Sequence, residues 1–366
     1  MAKNIAIFGT GGHGWLAFSN YIKKTNHSIN LFGLTVDYGG SGGIWYRLQE
    51  INNFELTRNI FHIAKPVLPW GDFNKIIAYF ISQKFGSEVA KCLDFRSDDL
   101  NRHLENFEIL SNFLCLEKKI CDTFIEFFEY VFRYYLKYKD SLEYSTDKKF
   151  CFGYPWQDFV FWNLGKVDDL NVFYKQYGIL PKHLNLYFTA KEREVLVGCS
   201  KKYQYLGEDI IDNATEPILP HSLEIYTVNQ EKATASETFL EILQTSDYII
   251  FPTGSITNWL PLISIDEVLK ILQEYSLNQK LIWVVNLEKS KNEVDLIDYI
   301  DFLKEKNLSP KLIIPAEYEK YQNKEGFHNF MHIKKSDLKF YPELKIKANN
   351  HYDQESLEKI LNKIIL

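Results

Sequence analysis

The sequence predicts an α/β protein: a three-layer, Rossmann-like, doubly wound and mostly parallel sheet with a helical insertion. Three observations carry this expectation. The chain opens with a short apolar run, a glycine turn, an amphipathic stretch and a second apolar run. Its last third alternates short apolar runs with helix-period segments. Between these lies a long stretch of helical periodicity with few turn residues.

The opening run "NIAIF" is short, apolar and closed by glycine, as a buried strand should be. "GWLAFSNYIKK" follows as a helix, and "SINLFGLTVD" as a second strand ending at Asp37. From about residue 73 to residue 139, "FNKIIAYFISQKF", "DDLNRHLENFEILSNFLCLEKK" and "CDTFIEFFEYVFRYYLKYKD" read as three helices. The whole chain, 1–366, is expected to be one domain with its helical insertion at about 73–180. Strands return at "HLNLYFTA" and "REVLVGC". "SLEIYTVN", "DYIIFPTGS", "KLIWVVNL" and "PKLIIPA" are further strands. The helices "ASETFLEILQTS", "ISIDEVLKILQEYS", "DLIDYIDFLKEK" and "DQESLEKILNKIIL" follow them in alternation, the order a parallel sheet requires.

Composition narrows the classes of function. A hydrophobic content of 46% over 366 residues supplies a sizeable core. The net charge of -6 argues against a broad nucleic-acid footprint. Five cysteines, Cys92, Cys115, Cys121, Cys151 and Cys199, form no CxxC pair, which fits buried thiols in a reducing cytoplasm. No apolar run is long enough to span a bilayer, so no membrane partner is expected. The aromatic middle could supply a homodimer face.

The chemistry gathers on glycine-bearing loops. Gly9, Gly11 and Gly14 satisfy GxGxxG after the first strand, with Thr10, Gly12 and His13 between them. Glycines there let backbone amides approach a phosphate, and a helix N-terminus favours its charge. Alone, that loop and Asp37 would suit a nicotinamide or flavin nucleotide. Yet Asp37 opens a second glycine loop, "DYGGSGGIWYR". "WGDFNK" adds Gly71, Asp72 and Asn74, and "IIFPTGSITNWLP" adds Gly254 and Ser255. In open α/β sheets, loops at the carboxyl ends of strands face one crevice. Several such loops suggest a large phosphorylated ligand gripped at many points.

Taken in order, the pieces "FGTGGHG", "VDYGGSGGIWYR", "LPWGDFNK", "GYPWQDF", "FPTGSITNWLP", "VNLEKSKNEVD" and "NNHYDQESLEKIL" resemble one family. It comprises the 2-phospho-L-lactate transferases (CofD-like) and the bacterial gluconeogenesis factors (YvcK-like). The gluconeogenesis factors typically read "GGGTG", "ADDGGSSGRLR", "PPGDIRN", "GHSIGN", "GPGSLYTSxIPN", "CNxMTQPGETD" and a closing "HDxxKLAxAL". The resemblance runs from residue 4 to residue 361. It implies a Rossmann-like core with an added helical part. One branch transfers a phospholactate group from a guanosine diphosphate-linked donor, with magnesium. The other looks non-catalytic and binds a uridine diphosphate sugar, and the motifs here sit closer to it. Departures dilute the charged phosphate clamp. Tyr38 stands for the second acid of the Asp-Asp pair, and Ile44 for the first arginine of "GRLR", with Arg47 just after the second. "YPWQD" lacks the His and Asn of "HSIGN", and Asn74-Lys75 replaces Arg-Asn.

Each candidate has a plainer alternative. Asp37 could orient a ribose or hold magnesium, or simply form a turn before glycine. Asp72 could be a second metal ligand or a helix N-cap. Gly39, Gly40, Ser41, Gly42 and Gly43 could wrap a phosphate or make a flexible turn. Gly254 and Ser255 fit a phosphate contact at a helix start, with Thr257 as a possible structural cap. Asn286 could recognise a base or sugar, or end a strand. His13 could touch phosphate or face solvent. The leading expectation is a nucleotide- or nucleotide-sugar-binding protein, regulatory in role, with magnesium accompanying the nucleotide and no tightly bound cofactor. A magnesium-dependent transferase, with Asp37 and Asp72 catalytic, is the alternative, and an NAD(P)-dependent oxidoreductase a weaker one.

Overall fold

Strand β1 (Asn4–Phe8) is the run "NIAIF", and Ile5, Ala6, Ile7 and Phe8 are wholly buried. A strand apolar on both faces can only be satisfied with cover above and below, which is the environment of a parallel sheet. The computed structural model describes residues 2–8, 12–34, 100–114, 181–190, 194–227, 229–321, 324–328, 340–347 and 352–365. Helix α1 (Gly12–Lys24) follows, then strand β2 (Ser28–Gly33), parallel to β1 with Asn4 opposite Ser28 and Phe8 opposite Phe32.

The chain divides into two units. The smaller comprises Gly40–Ile51 and Ala64–Ile179, and its described residues form one helix, α2 (Leu100–Leu114). That helix lies within the predicted second helix of the middle region. The flanking two predicted helices lie outside the described residues.

The larger unit comprises Met1–Gly39, Asn52–Ile63 and Leu180–Leu366, and holds every described strand. After β3 (Leu184–Phe188) come β4 (Glu194–Cys199), β5 (Gln204–Leu206), helix α3 (Glu208–Asp212) and β6 (Glu224–Thr227). Strict alternation then begins: helix α4 (Glu237–Thr245), β7 (Tyr248–Phe251), α5 (Asp266–Leu277), β8 (Leu281–Val284), α6 (Leu296–Glu305) and β9 (Lys311–Pro315). Strand β10 (Phe340–Tyr341) and helix α7 (Gln354–Ile364) complete it.

Seven strands form one sheet in the order β10-β9-β8-β7-β1-β2-β3, and every pairing is parallel. The first strand is therefore interior, as a doubly wound sheet requires. From β1 the chain winds outward through β2 to β3, then returns to β1's other flank with β7. Asparagines help fix the register: Asn30 donates to Asn4 at 2.6 Å, and Asn185 donates to Asn30 at 3.1 Å. A slip by one residue would put these side chains on the wrong face.

One expectation needs correction. "REVLVGC" and "SLEIYTVN" are strands, but they do not join the parallel sheet. They are β4 and β6 of a separate antiparallel sheet, ordered β5-β4-β6. Only residues 200–203 connect β4 to β5, far too few for the crossover that parallel pairing demands. Ser200 closes that hairpin, its Oγ accepting from the main-chain N–H of Tyr203 at 3.0 Å and of Lys202 at 3.2 Å.

Aromatic rings fill the sheet's interior. Phe8 packs on Phe32 and Phe251, and Phe239 of α4 meets Phe32 edge-on at 4.7 Å. Side-chain caps start two of the helices: Ser236 Oγ accepts from Phe239 N at 3.2 Å, and Asp353 accepts from Ser356 N at 2.9 Å. Replacing Asp353 with alanine is expected to cost about 1 kcal/mol. Thermal unfolding at neutral pH reads this directly, and an unchanged midpoint would mean the cap contributes nothing. No helix among the described residues is long and apolar enough to cross a membrane.

Candidate functional site: the crest at the strand-order reversal

In a doubly wound sheet the connections diverge where the strand order reverses, leaving a crevice at the carboxyl ends of the two strands flanking that point. Here those strands are β1 and β7, with Ile5 opposite Tyr248 and Ile7 opposite Ile250. Parallel pairing puts the carboxyl ends of β1, β2, β7 and β8 on the same edge.

From β1 the chain reaches α1 through residues 9–11. Gly9, Thr10 and Gly11 lie outside the described residues. Gly12 is the first residue of α1 and His13 the second. The first turn of α1 carries no acid, and Lys23 and Lys24 occupy its last turn. The helix dipole is thus matched at its far end by the two lysines, and no acid of the first turn offsets it at the near end. Asp37, Gly39, Gly40, Ser41, Gly42, Gly71, Asp72 and Asn74 also lie outside the described residues.

On the other flank, β7 runs into Pro252, Thr253, Gly254 and Ser255. Gly254 has φ 127°, a backbone conformation that favours glycine. The short 3-10 turns Ile256–Asn258 and Leu260–Ser264 follow, so the helix start expected at Gly254 and Ser255 is a 3-10 turn. Trp259, between the two turns, is 1% exposed, stacks on Phe251 at 4.1 Å and meets Trp283 of β8 edge-on at 5.2 Å. The loop is therefore bolted to β7 and β8.

Hydroxyls continue downward from the crest. Ser255 Oγ and Thr257 Oγ1 are 2.6 Å apart, and Thr257 Oγ1 donates to Asp212 Oδ1 of α3 at 3.2 Å. Thr257 has one proton and gives it to the carboxylate, so the shorter contact needs Ser255 as donor. With that proton committed inward, Ser255 can offer an anion only its main-chain N–H. Thr257 serves as a link to Asp212 and not as a helix cap. Asn286, two residues beyond β8, is partly exposed at the same edge of the sheet.

Sequence reading missed a buried acid below these loops. Glu293 lies in the loop after β8 and is 4% exposed. Its Oε2 accepts from Ser290 N at 2.9 Å, and the carboxyl also accepts from the main-chain N–H of Ile256. One side chain thus joins the loops after β7 and β8. His328 is 2% exposed and places Nε2 3.9 Å from Glu293 Oε2, while its Nδ1 has no hydrogen-bond partner among the described residues. Despite the distance this is not an ion pair. Burial, only partly offset by the Ser290 and Ile256 N–H bonds, pushes Glu293 up to about 7. Burial and the Lys289 ammonium hold His328 down to about 4. Between those limits both groups are neutral. The only hint in the sequence was an acid, Glu293, inside the motif "VNLEKSKNEVD". Its partner lies 35 positions on, beyond any local pattern.

Comparison with solved structures places this architecture. The chain shares the fold of a UPF0052 family protein. That protein, BH3568 of Bacillus halodurans, is similar at a TM-score of 0.56 and 12% identity, covering 99% of each chain. A second crystal structure of BH3568 matches at 0.56 and 13%, covering 99% of this chain and 100% of that one. At such identity the likeness concerns fold alone. No sequence-family model matches the chain, and no curated protein matches it in sequence.

Proposed function

We propose that this protein binds a nucleotide or nucleotide sugar through its diphosphate at the crest between β1 and β7, in a regulatory role. The observation that supports the reading is the strand order, in which the carboxyl ends of β1 and β7 lie side by side at the point of reversal. The start of α1 at Gly12 and the left-handed Gly254 supply the kind of backbone a diphosphate needs. Asn286, at the neighbouring strand end, is the candidate for base or sugar recognition. The fold likeness to a UPF0052 protein agrees with the resemblance to the gluconeogenesis-factor and 2-phospho-L-lactate transferase family. Magnesium enters, on this reading, with the phosphates, and Asp37 is a candidate protein ligand.

A thermal-shift panel tests the reading, because a ligand that binds only the folded chain raises its stability. Uridine diphosphate sugars are expected to raise the midpoint. A response to NAD(P) alone would replace this reading with an oxidoreductase, and a response only to GTP with magnesium would favour the transferase.

Gly254→Val tests the crest itself. A branched side chain at φ 127° strains the loop and intrudes where the backbone must approach phosphate. Affinity for the uridine diphosphate sugar is expected to fall by more than about tenfold, or about 1.4 kcal/mol. Calorimetric titration of the folded variant measures it, and unchanged affinity would reduce the loop to a turn.

A further inference from the structure

Glu293 joins two loops from a buried position. It sits under the crest, and its carboxyl gathers the main-chain N–H groups of Ser290 and Ile256, one from each loop. Ile256 follows Ser255 directly, so the acid is bonded to the residue next to the candidate phosphate contact. Four elements close over it. The segment 324–328 brings His328, and Lys289 N donates to Gly326 O at 2.8 Å to hold that segment down. Helix α3 brings Asp212, whose charge opposes ionisation of Glu293. Helix α6 brings Tyr299, 2% exposed, whose phenol burial keeps protonated. The loop itself brings Lys289, the one opposing cation among the described residues, but Lys289 Nζ is already 2.6 Å from Asp295 Oδ1.

The arrangement has a consequence for any anion bound above it. A charged Glu293 would face Asp212 from below and a phosphate from above, with little solvent to screen either. A protonated Glu293 removes one of the three negative charges and keeps an oxygen for the N–H groups. We propose that Glu293 is a proton-linked pin beneath the ligand loop, so that binding of an anionic ligand at the Gly254–Ser255 crest is tied to protonation of its carboxyl. This rests on the nucleotide-binding reading above and adds a dependence on pH to it. By linkage, binding takes up a proton wherever the free carboxyl is ionised, and affinity weakens as pH rises. His328 contributes a neutral wall, since an imidazolium there would neutralise the carboxylate and abolish the effect.

UDP-glucose is a suitable probe, because its diphosphate is fully ionised throughout the working range. Calorimetric titrations of the full chain from about pH 6 to about pH 8 are expected to show Kd rising about fivefold or more. Repeating them in buffers of different ionisation enthalpy should show net proton uptake at the higher pH. Glu293→Gln imitates the protonated acid, so its Kd should change less than about twofold over the same range, with no proton uptake. A flat profile in the parent protein overturns the proposal while leaving nucleotide binding intact. So does a slope that survives in Glu293→Gln. If UDP-glucose binds neither protein at the lower pH, the nucleotide-sugar reading falls and the pin falls with it. Should the variant fail to fold, the carboxyl carbon shift of Glu293 in the parent protein decides. Its titration midpoint should rise on adding UDP-glucose, and an unmoved midpoint overturns the proposal.

Discussion

Replacing Trp259 with alanine is expected to lower the stability of the larger unit by about 3–5 kcal/mol. The indole is 1% exposed, lies flat on Phe251 at 4.1 Å and abuts Trp283 at 5.2 Å. Removing it opens a cavity between β7, β8 and the turns that carry the crest, and neighbours this rigid refill little of it. Trp259→Phe separates packing from polarity. The indole N–H has no partner among the described residues, so phenylalanine loses area but also removes an unsatisfied donor. Its cost should stay below about 2 kcal/mol. Urea unfolding of the three proteins checks the order, and an alanine variant within about 1 kcal/mol of the parent would contradict the packing account.

The second large effect is a pH-dependent difference between Glu293→Gln and the parent protein. Glu293 is raised from 4.5 to about 7 in the folded chain. Its contribution to stability is therefore complete below about 4.5 and is lost as pH rises through about 7. Above that, a buried carboxylate costs about 3 kcal/mol relative to the acid. His328 runs the other way, lowered from 6.5 to about 4: its contribution is present above about 6.5 and lost as pH falls through about 4. In the parent protein the two slopes nearly cancel from about pH 4.5 to about pH 6.5. Glutamine abolishes the first and leaves the second. The variant should gain on the parent by about 3 kcal/mol between about pH 4.5 and about pH 8. Urea melts across that range measure the gain, and a constant offset would show that Glu293 does not fold as a neutral acid.

How much of this was legible in the sequence depends on the range of the interaction involved. β1 matches the run "NIAIF" residue for residue, because a strand buried on both faces has to be apolar throughout. β7, β8 and β9 declare themselves in the same way, although each ends sooner than its apolar run. The predicted strand "SINLFGLTVD" is β2 only as far as Gly33. Strands β4 and β6 were visible, but their partner was not, since pairing is settled by connection length and by β5, a three-residue strand too short to show a period. Gly254, Ser255 and Asn286 could be placed at the crest from sequence because they follow strands directly. Glu293, His328 and Asp212 could not. Their meeting depends on two loops and the helix α3 converging, and the neutral state of the first two comes from burial that no local pattern encodes.

The position of β1 also sets a timetable. It precedes every other described strand in the chain, yet it ends up inside the sheet, and one flank of it waits for β7, where Ile5 finally meets Tyr248. Until then the nascent chain carries an apolar strand with an open edge, the kind of surface that chaperones cover and that otherwise aggregates. Pairing across so long an interval is slow, because the entropy of closing the loop is spent before the contacts repay it. The crevice built across that pairing cannot exist before the pairing does. A ligand at the crest would therefore recognise only finished protein, and cellular supply of that ligand would bear on how much protein persists as well as on what it does.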